Sequence, residues 1–389
     1  MPRFRSVRYR LYPNRTQIKQ MNNYLEQCRF VYNKEVDMCR RAYEHDGRLL
    51  DQESIGEYCE YVLKLDNPIV DTVLSECLDD VAHRVHRAFI RFESLKNSGK
   101  KGVVLPVEKG PEQYRSFTYP KYKGNVRMMS NGRLWLHGIG KVRCVAHRPM
   151  DGAPFSCAVT KSSTGKWYAT IFFIRNNEDG ARKRPNDAKP VGIDLGLGNL
   201  AALSDGTIYD NKKKYDKIYD KIVKIQRKMA CYNQDSDDYV KYKRRLDHLF
   251  EHYNNQMRDD MHKRSTEIVG RYSLIALEDI NVKEMIGHYR TRIGRRSQST
   301  AAWRTFVEML EYKAEEAGVD MVLVNPKNTS QICSSCGHYV RKNLGVRVHD
   351  CPMCGLVIDR DVNAAKNILR TLTHEFTGIS SDPPSCRSP

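Results

Sequence analysis

Cys333-Ser-Ser-Cys336 is followed, fourteen residues later, by Cys351-Pro-Met-Cys354, and almost at once by Asp359-Arg-Asp361-Val-Asn363-Ala-Ala-Lys-Asn367. Two Cys-x-x-Cys pairs at this spacing match the tetrahedral demand of a structural zinc site, in which four thiolates close the coordination sphere. Cys333, Cys336, Cys351 and Cys354 are therefore expected to hold one structural Zn2+. Gly337 and Gly355, each directly after a pair, permit the tight turns such a knuckle needs. His338 and His349 lie nearby, and with four sulfurs filling the sphere they are expected at the surface. The knuckle can be a fold staple alone or can also help load a strand into an active site. It leads straight into a helix start that carries Asp361, with Asp359 two residues before it as a competing acid.

Two further acids end apolar segments upstream. Pro190-Val-Gly-Ile-Asp194 reads as a buried strand closed by a carboxylate, and Leu274 to Leu277 as another, closed by Glu278 with Asp279 beside it. Asn199 to Ser204 and Thr207 to Tyr209 suggest a β-meander around a tight Asp205-Gly206 turn. Tyr215 to Val269 is helical, with Ile218, Ile222, Ile225 and Met229 on one stripe and Tyr242, Leu246, Leu249 and Tyr253 on another. The polar break from Asn233 to Asp238 makes it a helical hairpin. Ala301 to Ala317 reads as a helix, Met321 to Val324 as a strand and Asp361 to Leu372 as the last helix. Strand, meander, helix, strand, helix, strand, helix is the order an RNase H-type fold needs. Acids at the tips of adjacent strands converge, and divalent cations such as Mg2+ relieve their repulsion. Two such ions about 3.5–4 Å apart can activate water and stabilise the leaving oxygen of a phosphodiester.

The first half has a different texture. Arg5 to Leu11 alternates, with Val7, Tyr9 and Leu11 on one face and Arg8 and Arg10 on the other, as in a half-buried strand. Thr16 is placed to cap a helix bearing Ile18, Met21, Leu25, Cys28 and Tyr32. Ile55 to Leu65 is a second helical stretch. Val73 to Leu95 is a third, with Leu74, Leu78, Val81, Val85 and Phe89 on one stripe. Lys96 to Val126, rich in Gly, Lys, Pro and Tyr, reads as a basic connector. The β-rich segments Arg133 to Leu136, Gly140 to Val145, Phe155 to Lys161 and Trp167 to Ile174 predict a small barrel or sheet, completed by the first strand across the helical insertion. Asn176 to Lys189 reads as a linker, and Thr377 to Pro389, rich in Ser and Pro, as a disordered tail.

Over the 389 residues Lys+Arg exceed Asp+Glu by 65 to 47, a formal charge of +18. Such a field attracts polyanions. Eight cysteines outside the paired motif are scattered singly, which fits a reducing compartment. About eighteen apolar residues nowhere run together, so no membrane span is expected. Met-Pro-Arg-Phe-Arg leads into no apolar stretch, so a signal peptide is not expected either. The expectation is a cytoplasmic protein of the prokaryotic cytosol and nucleoid. Arg3, Arg5, Arg8 and Arg10 interleave with Tyr9 and Tyr12, and Lys121-Tyr-Lys123 does the same. That mixture suits backbone tracking and base stacking on nucleic acid. His288-Tyr-Arg-Thr-Arg-Ile-Gly-Arg-Arg296 offers Arg290, Arg292, Arg295 and Arg296 as a phosphate-touching lid, or as a solvated loop.

Ile193-Asp-Leu-Gly-Leu-Gly198, Ala276-Leu-Glu-Asp-Ile280 and Asp361-Val-Asn-Ala-Ala-Lys-Asn367 resemble the three motifs of a RuvC-like nuclease. Thr329-Ser-Gln-Ile-Cys333-Ser-Ser-Cys336-Gly resembles the zinc-ribbon insertion of TnpB, the transposon-encoded RNA-guided nuclease. Tyr9-Arg-Leu-Tyr-Pro13 and Cys28-Arg-Phe-Val-Tyr-Asn33 resemble the start of that family. Type V CRISPR effectors are similar in the same region, and the compact length favours TnpB. The resemblance implies a mixed α/β and β multidomain protein, with an RNase H-like (RuvC) domain, an inserted zinc ribbon and a β-barrel wedge domain interrupted by a helical recognition domain. The boundaries it implies are 1–12 for the first barrel strand, 13–100 for the recognition domain and 101–180 for the rest of the barrel. The nuclease domain then takes 181–325, the ribbon 326–357, the third motif 358–373 and the tail 374–389.

The resemblance also implies roles. Asp194, Glu278 and Asp361 become the catalytic acids holding two Mg2+, since the family pattern puts the acid two residues before Asn363, and Asp279 becomes a supporting neighbour. The partners are a guide RNA derived from the transposon end, with one protein per guide, and a double-stranded DNA cut next to a short transposon-associated motif. A nuclease-inactive, RNA-guided repressor and a DNA-joining transposase are the alternatives.

Overall fold

Strand β1 (Arg3–Tyr12) buries Val7, Tyr9 and Leu11 and exposes Phe4, Ser6, Arg8 and Tyr12. The two-residue period of a strand sorts its apolar and basic residues onto opposite faces. The structure is a computed structural model and describes residues 3–175, 187–196, 199–210, 212–279, 293–324, 329–343 and 345–377. The chain divides after Asp179 into two units.

In the first unit β1 is central to an antiparallel sheet ordered β2-β6-β7-β1-β5-β4-β3. Its other strands are β2 (Ser116–Tyr119), β3 (Val126–Met128), β4 (Arg133–Leu136), β5 (Gly140–Val145), β6 (Ala153–Lys161) and β7 (Trp167–Arg175). Among the described residues the end strands β2 and β3 share no ladder, so the anticipated barrel is a sheet whose edges do not pair. β2 lies in the stretch read as a connector, and β3 starts at its last residue. There, Lys, Gly and Tyr masked an alternation that buries Phe117 and Tyr119.

The inner face of this sheet shares one core with helices α1 (Arg15–Asp46) and α3 (Ser75–Asn97), which contribute Met21, Cys28, Val31, Leu78, Val81 and Val85. Asn14 caps α1 rather than Thr16: its side chain accepts from Gln17 N, and the Gln17 side chain accepts from Asn14 N, a reciprocal box that satisfies two orphan donors. Ile18 is exposed rather than in the core. The second helical stretch is interrupted. α2 (Gln52–Tyr58) passes into a π turn, Cys59–Leu63, and then single turns up to a 3-10 segment begun by Pro68.

In the second unit β8 (Val191–Asp194) is central to a five-stranded sheet ordered β10-β9-β8-β11-β12. β9 (Asn199–Leu203) and β10 (Ile208–Asp210) form the meander, antiparallel to β8 and turned at Gly206, whose φ is +96°. β11 (Leu274–Glu278) is parallel to both β8 and β12 (Asp320–Val324). Between β10 and β11 run α4 (Lys212–Met229) and α5 (Asp237–Arg271), a hairpin closed around Ile222, Ile225 and Leu246. Met261, Ile268 and Val269 of α5 and Phe306 and Leu310 of α6 (Ile293–Ala317) cover one sheet face, against Ile193, Ile275 and Leu277. The last helix, α7 (Arg360–Thr377), covers the other, packing Ile368 and Leu372 on Ala276 and Val324. Burying two such side chains contributes roughly 1.5–3 kcal/mol each. Among the described residues no helix is long and apolar enough to cross a membrane.

On the α7 side β8 presents Gly192. A Cβ there would collide with the carbonyl oxygen of Ala365 and come 2.8 Å from Leu369 N. Backbone cannot yield as a side chain can, so Gly192→Ala should displace α7 and cost about 1–3 kcal/mol or more. Denaturant unfolding checks this; an unchanged midpoint would show that the helix does not lie so close.

Candidate active site and metal centre

Parallel pairing sets the first two acids side by side. Leu277 and Ile193 are register partners in β11 and β8, so Glu278 and Asp194 leave the sheet at the same end of neighbouring strands. The third acid arrives from α7, whose first turn carries the buried Asp361. Asp359 does a separate job: its Oδ1 accepts from the backbone N–H groups of Asp361 (2.8 Å) and Val362 (3.2 Å), capping the helix. Asp361 carries the charge that faces the strand tips. Gly196, in the loop after β8, lies so near that a Cβ there would touch Asp361 Oδ2 at 3.4 Å.

Burial pushes the Asp194 carboxyl well above the usual carboxylate range, and the neighbouring charges of Glu278 and Asp361 push the same way, against an opposing pull from Arg360. Burial also raises Glu278, while a hydrogen bond donated by the Thr329 hydroxyl to its Oε1 pulls it back. Two guanidinium groups offset Asp361: Arg360 at 3.4 Å and Arg347 at 3.6 Å. A carboxyl raised by burial and by two neighbouring acids is the signature of like charges close to one low-dielectric position. Such an oxygen-only pocket suits a hard divalent cation. Asp279 is exposed, and its backbone N–H continues the ladder to Val324 O at 2.8 Å.

The four cysteines of the knuckle come together, every ligand sulfur within 4.8 Å of the others. The Sγ atoms of Cys333 and Cys354, and of Cys336 and Cys351, are 3.6 Å apart, against about 3.8 Å for sulfurs on a tetrahedral zinc with ~2.3 Å bonds. The two halves repeat one design. Gly337 N donates to Cys333 O and Gly355 N to Cys351 O, each at 2.9 Å, with both glycines at positive φ. Cys333 N and Cys351 N donate to the carbonyls of His338 and Leu356. These cysteines can hold a metal such as zinc. His338 is exposed as expected. His349 is not: in the centre of β13 (Val348–Asp350), paired with β14 (Val357–Asp359), its ring is fully buried with Nδ1 against Lys342 Nζ.

Residues without an assigned role in the sequence join knuckle to helix. Asn363 accepts from Ser334 N (2.9 Å) and donates to Ile332 O (2.8 Å), and Asn367 donates to the carbonyls of Thr329 (2.8 Å) and Ile332 (2.7 Å). Their spacing of four puts both amides on one helix face, which is the signal that could have found them. Thr329 and Arg347 carry no such local signal, because their partners Glu278 and Asp361 are distant in sequence.

The candidate nucleic-acid residues fare unevenly. Arg8 lies over the Tyr168 ring at 3.8 Å, and Arg10 lies over Tyr168 and Tyr12 at 5.1 and 5.3 Å. Arg3 and Arg5 pair with Arg175 and Phe173 of β7. Tyr9 and Tyr122 are buried, so neither can stack a base; strand alternation turns Tyr9 inward, where its hydroxyl donates to Arg148 O at 2.6 Å. Lys121 is ion-paired with Glu76 at 3.2 Å, and Lys123 is exposed. Arg290 and Arg292 lie outside the described residues, and Arg295 and Arg296 fall in the backbone of α6.

An acid-tipped mixed sheet, joined through an asparagine-bearing helix to a four-cysteine knuckle, defines the class of protein. Residues 303–368 match the family described as "Cas12f1-like, TNB domain". Residues 162–288 match "Probable transposase" of the OrfB, IS605 type, and residues 1–48 the "Helix-turn-helix domain" of the same type. Over 386 residues the chain is 28% identical to "Putative RNA-guided DNA endonuclease InsQ" of Escherichia coli (strain K12), covering 95% of this chain and 92% of that one. It is 27% identical over 371 residues to "Putative RNA-guided DNA endonuclease" of Streptomyces pristinaespiralis, covering 94% and 88%. A solved structure, that of "the mini-RNA-guided endonuclease CRISPR-Cas_phi3", aligns over 99% of this chain and 93% of its own, at 10% identity and a TM-score of 0.46. The chain is similar to the OrfB proteins of IS605-type transposons, the TnpB-like proteins, in each of these matched segments.

Two outcomes follow for the site. Asp194→Asn removes a buried like charge and should raise metal-free stability by about 1 kcal/mol, roughly 2–4 °C in Tm, while abolishing the further rise that Mg2+ gives the parent; calorimetry with and without Mg2+ checks both. The purified chain should carry about one zinc, lost on Cys351→Ser, with new proteolytic cuts around the knuckle. Metal analysis showing retained zinc in that variant would remove the four-sulfur assignment.

Proposed function

We propose that the chain is an RNA-guided DNA endonuclease whose single RuvC-like, RNase H-type site is formed by Asp194, Glu278 and Asp361. What supports this reading is that Asp194 at the tip of β8 is raised first by burial and then by the charges of Glu278 of β11 and Asp361 of α7, so the three acids act on one region. The E. coli and Streptomyces relatives named as RNA-guided DNA endonucleases support it over nearly their whole length.

The donor set fits Mg2+, since all three side chains offer oxygen and the site holds more acid than its own guanidinium groups offset. Bound Mg2+ would supply an activated water and stabilise the leaving oxygen of a phosphodiester. The chain's own residues do the positioning. Thr329 fixes the Glu278 carboxylate through its hydroxyl. Asp359 fixes the first turn of α7 and so the direction of Asp361. The zinc ribbon fixes the same helix through Asn363 and Asn367. The guide RNA, derived from the transposon end, pairs with one DNA strand next to a short motif, so base pairing reads sequence while the protein reads shape and that motif. The amino-terminal helices and sheet hold the guide and hybrid, and the one site cuts both strands in turn.

Asp194→Ala should abolish cutting in Mg2+ yet leave guide-dependent DNA binding within about twofold of the parent, since the charge acts only on the reacting phosphate. Full cleavage by that variant removes the assignment. Products joined to new ends, rather than free ends, would favour a transposase.

A further inference from the structure

The motif Cys28-Arg-Phe-Val-Tyr-Asn33, in the middle of α1, holds one residue of a loop 76 positions away. Asn33 Oδ1 accepts from Lys109 N at 2.8 Å, and Asn33 Nδ2 donates back to Lys109 O at 3.1 Å. Arg29 Nη1 donates to the same carbonyl at 3.3 Å. The Tyr32 ring lies against the side chain, with Lys109 Nζ 4.0 Å from its centroid and 5.7 Å from that of Tyr114. Arg29, Tyr32 and Asn33 stand three and four apart, so one helix face delivers all of these contacts. A loop backbone clamped at both its N–H and its C=O fixes where its side chain starts.

That side chain carries a charge without an acid. Lys109 is half-buried, and among the described residues no carboxylate pairs with it, whereas Arg29 has Glu26 and Arg84 has Asp80 at 2.6 Å. Burial, and then the Arg84 guanidinium, pull the Lys109 ammonium below its usual range. The ring faces are its favourable contacts.

Lys109 lines a groove of about 440 Å³ between α1, α3 and residues 103–113, a volume within the ~300–1,000 Å³ of small-molecule sites. Phe92 and Leu95 of α3 form one wall, and Val104 and Val107, 75% and 55% exposed, form the other. The rim mainly donates hydrogen bonds. Arg91 stands beside Lys109, and Gln113 has its Oε1 engaged by Gly110 N at 3.0 Å, which turns donor chemistry to the groove. Glu108 is the one acid among the lining residues, and it is exposed.

We propose that this groove binds a small organic anion, a carboxylate on an aliphatic tail, with its head on Lys109 and its tail over Leu95, Val104 and Val107. A charged acceptor supplies the partner the ammonium lacks, and a tail takes two exposed valines out of water. A bare phosphate would leave those walls wet. The site lies within the first unit and stands independently of the nuclease function.

The test is isothermal titration calorimetry on the full-length protein, freed of copurifying nucleic acid, with decanoate as the probe. Decanoate should saturate one site per chain below about 1 mM, and octanoate, two methylenes shorter, should bind roughly 10-fold more weakly. Acetate and inorganic phosphate, heads without tails, and decanol, a tail without charge, should each bind at least about 10-fold more weakly than decanoate. Lys109→Met keeps the apolar stem and should weaken decanoate about 10- to 100-fold. Lys109→Arg should retain most of the affinity, and Lys100→Met, an exposed charge on the same segment, should bind like the parent. Asn33→Ala, which frees the Lys109 backbone, should weaken binding roughly 3- to 10-fold with an unchanged circular dichroism spectrum. No saturable decanoate binding overturns the proposal, as does equal binding by the parent and Lys109→Met or an equal loss in Lys100→Met. Decanol bound as tightly as decanoate would show a merely apolar surface, and phosphate displacing decanoate at equal concentration would show a phosphate site; either overturns the assignment.

Discussion

The second unit depends on a backbone-to-backbone approach, with α7 lying on β8 where Gly192 leaves no side chain between them. That proximity brings the start of a helix to the tip of a strand, so that Asp361 can face Asp194 across a short gap. A larger residue at 192 would hold the two backbones apart by the size of its side chain. Ala364 and Ala365, both buried in the same helix, keep its own surface thin at that point. The small residues of the third motif are thus a steric requirement of the acids rather than a composition bias.

A helix pressed so closely must also be stopped from rotating or sliding, because either motion moves Asp361 away. Three fasteners act at its start. Asp359 caps the first turn, where a carboxylate also meets the positive end of the helix dipole. Asn363 and Asn367 bind the backbone of the knuckle, so the helix is indexed to four cysteines rather than to a flexible loop. Arg347, on the knuckle side, and Arg360 supply positive charge to an acid that would otherwise be buried unpaired, an arrangement costing several kcal/mol. The four-cysteine knuckle, the placement of α7 and the position of Asp361 are thus mechanically linked, although no cysteine touches the acid.

The strands ending at Asp194 and Glu278 were legible in the sequence, because each acid closes a short apolar run whose length leaves little freedom: Val191 to Ile193, and Leu274 to Leu277. The knuckle was equally plain, since its chemistry is written in four residues of one type. What failed was whatever depended on parity across an irregularity or on partners far along the chain. Tyr9 and Tyr122 carry aromatic rings in basic surroundings yet are core, Tyr9 through the alternation of β1 and Tyr122 through a connecting segment whose N–H donates to Phe155 O at 2.8 Å. Phe155 errs in the opposite sense, since one register shift exports a ring that strict alternation would bury. β2 and β3 were hidden by a composition usually found in loops, and Asn14 displaced Thr16 because its partner Gln17 completes the reciprocal box. His349 went inward because β13 is too short to have any other central residue.

The two units carry opposite electrostatic deficits, each read from the same rule. In the second, burial and then the charges of Glu278 and Asp361 raise the Asp194 carboxyl, while the guanidinium groups of Arg347 and Arg360 sit beside Asp361. In the first, seven strands with ten basic residues and no acidic ones set Arg133 directly opposite Arg143. A protein evolved for stability alone would have scattered acids among those strands, because the cross-strand pairs so formed stabilise a sheet by a few tenths of a kcal/mol to about 1 kcal/mol each.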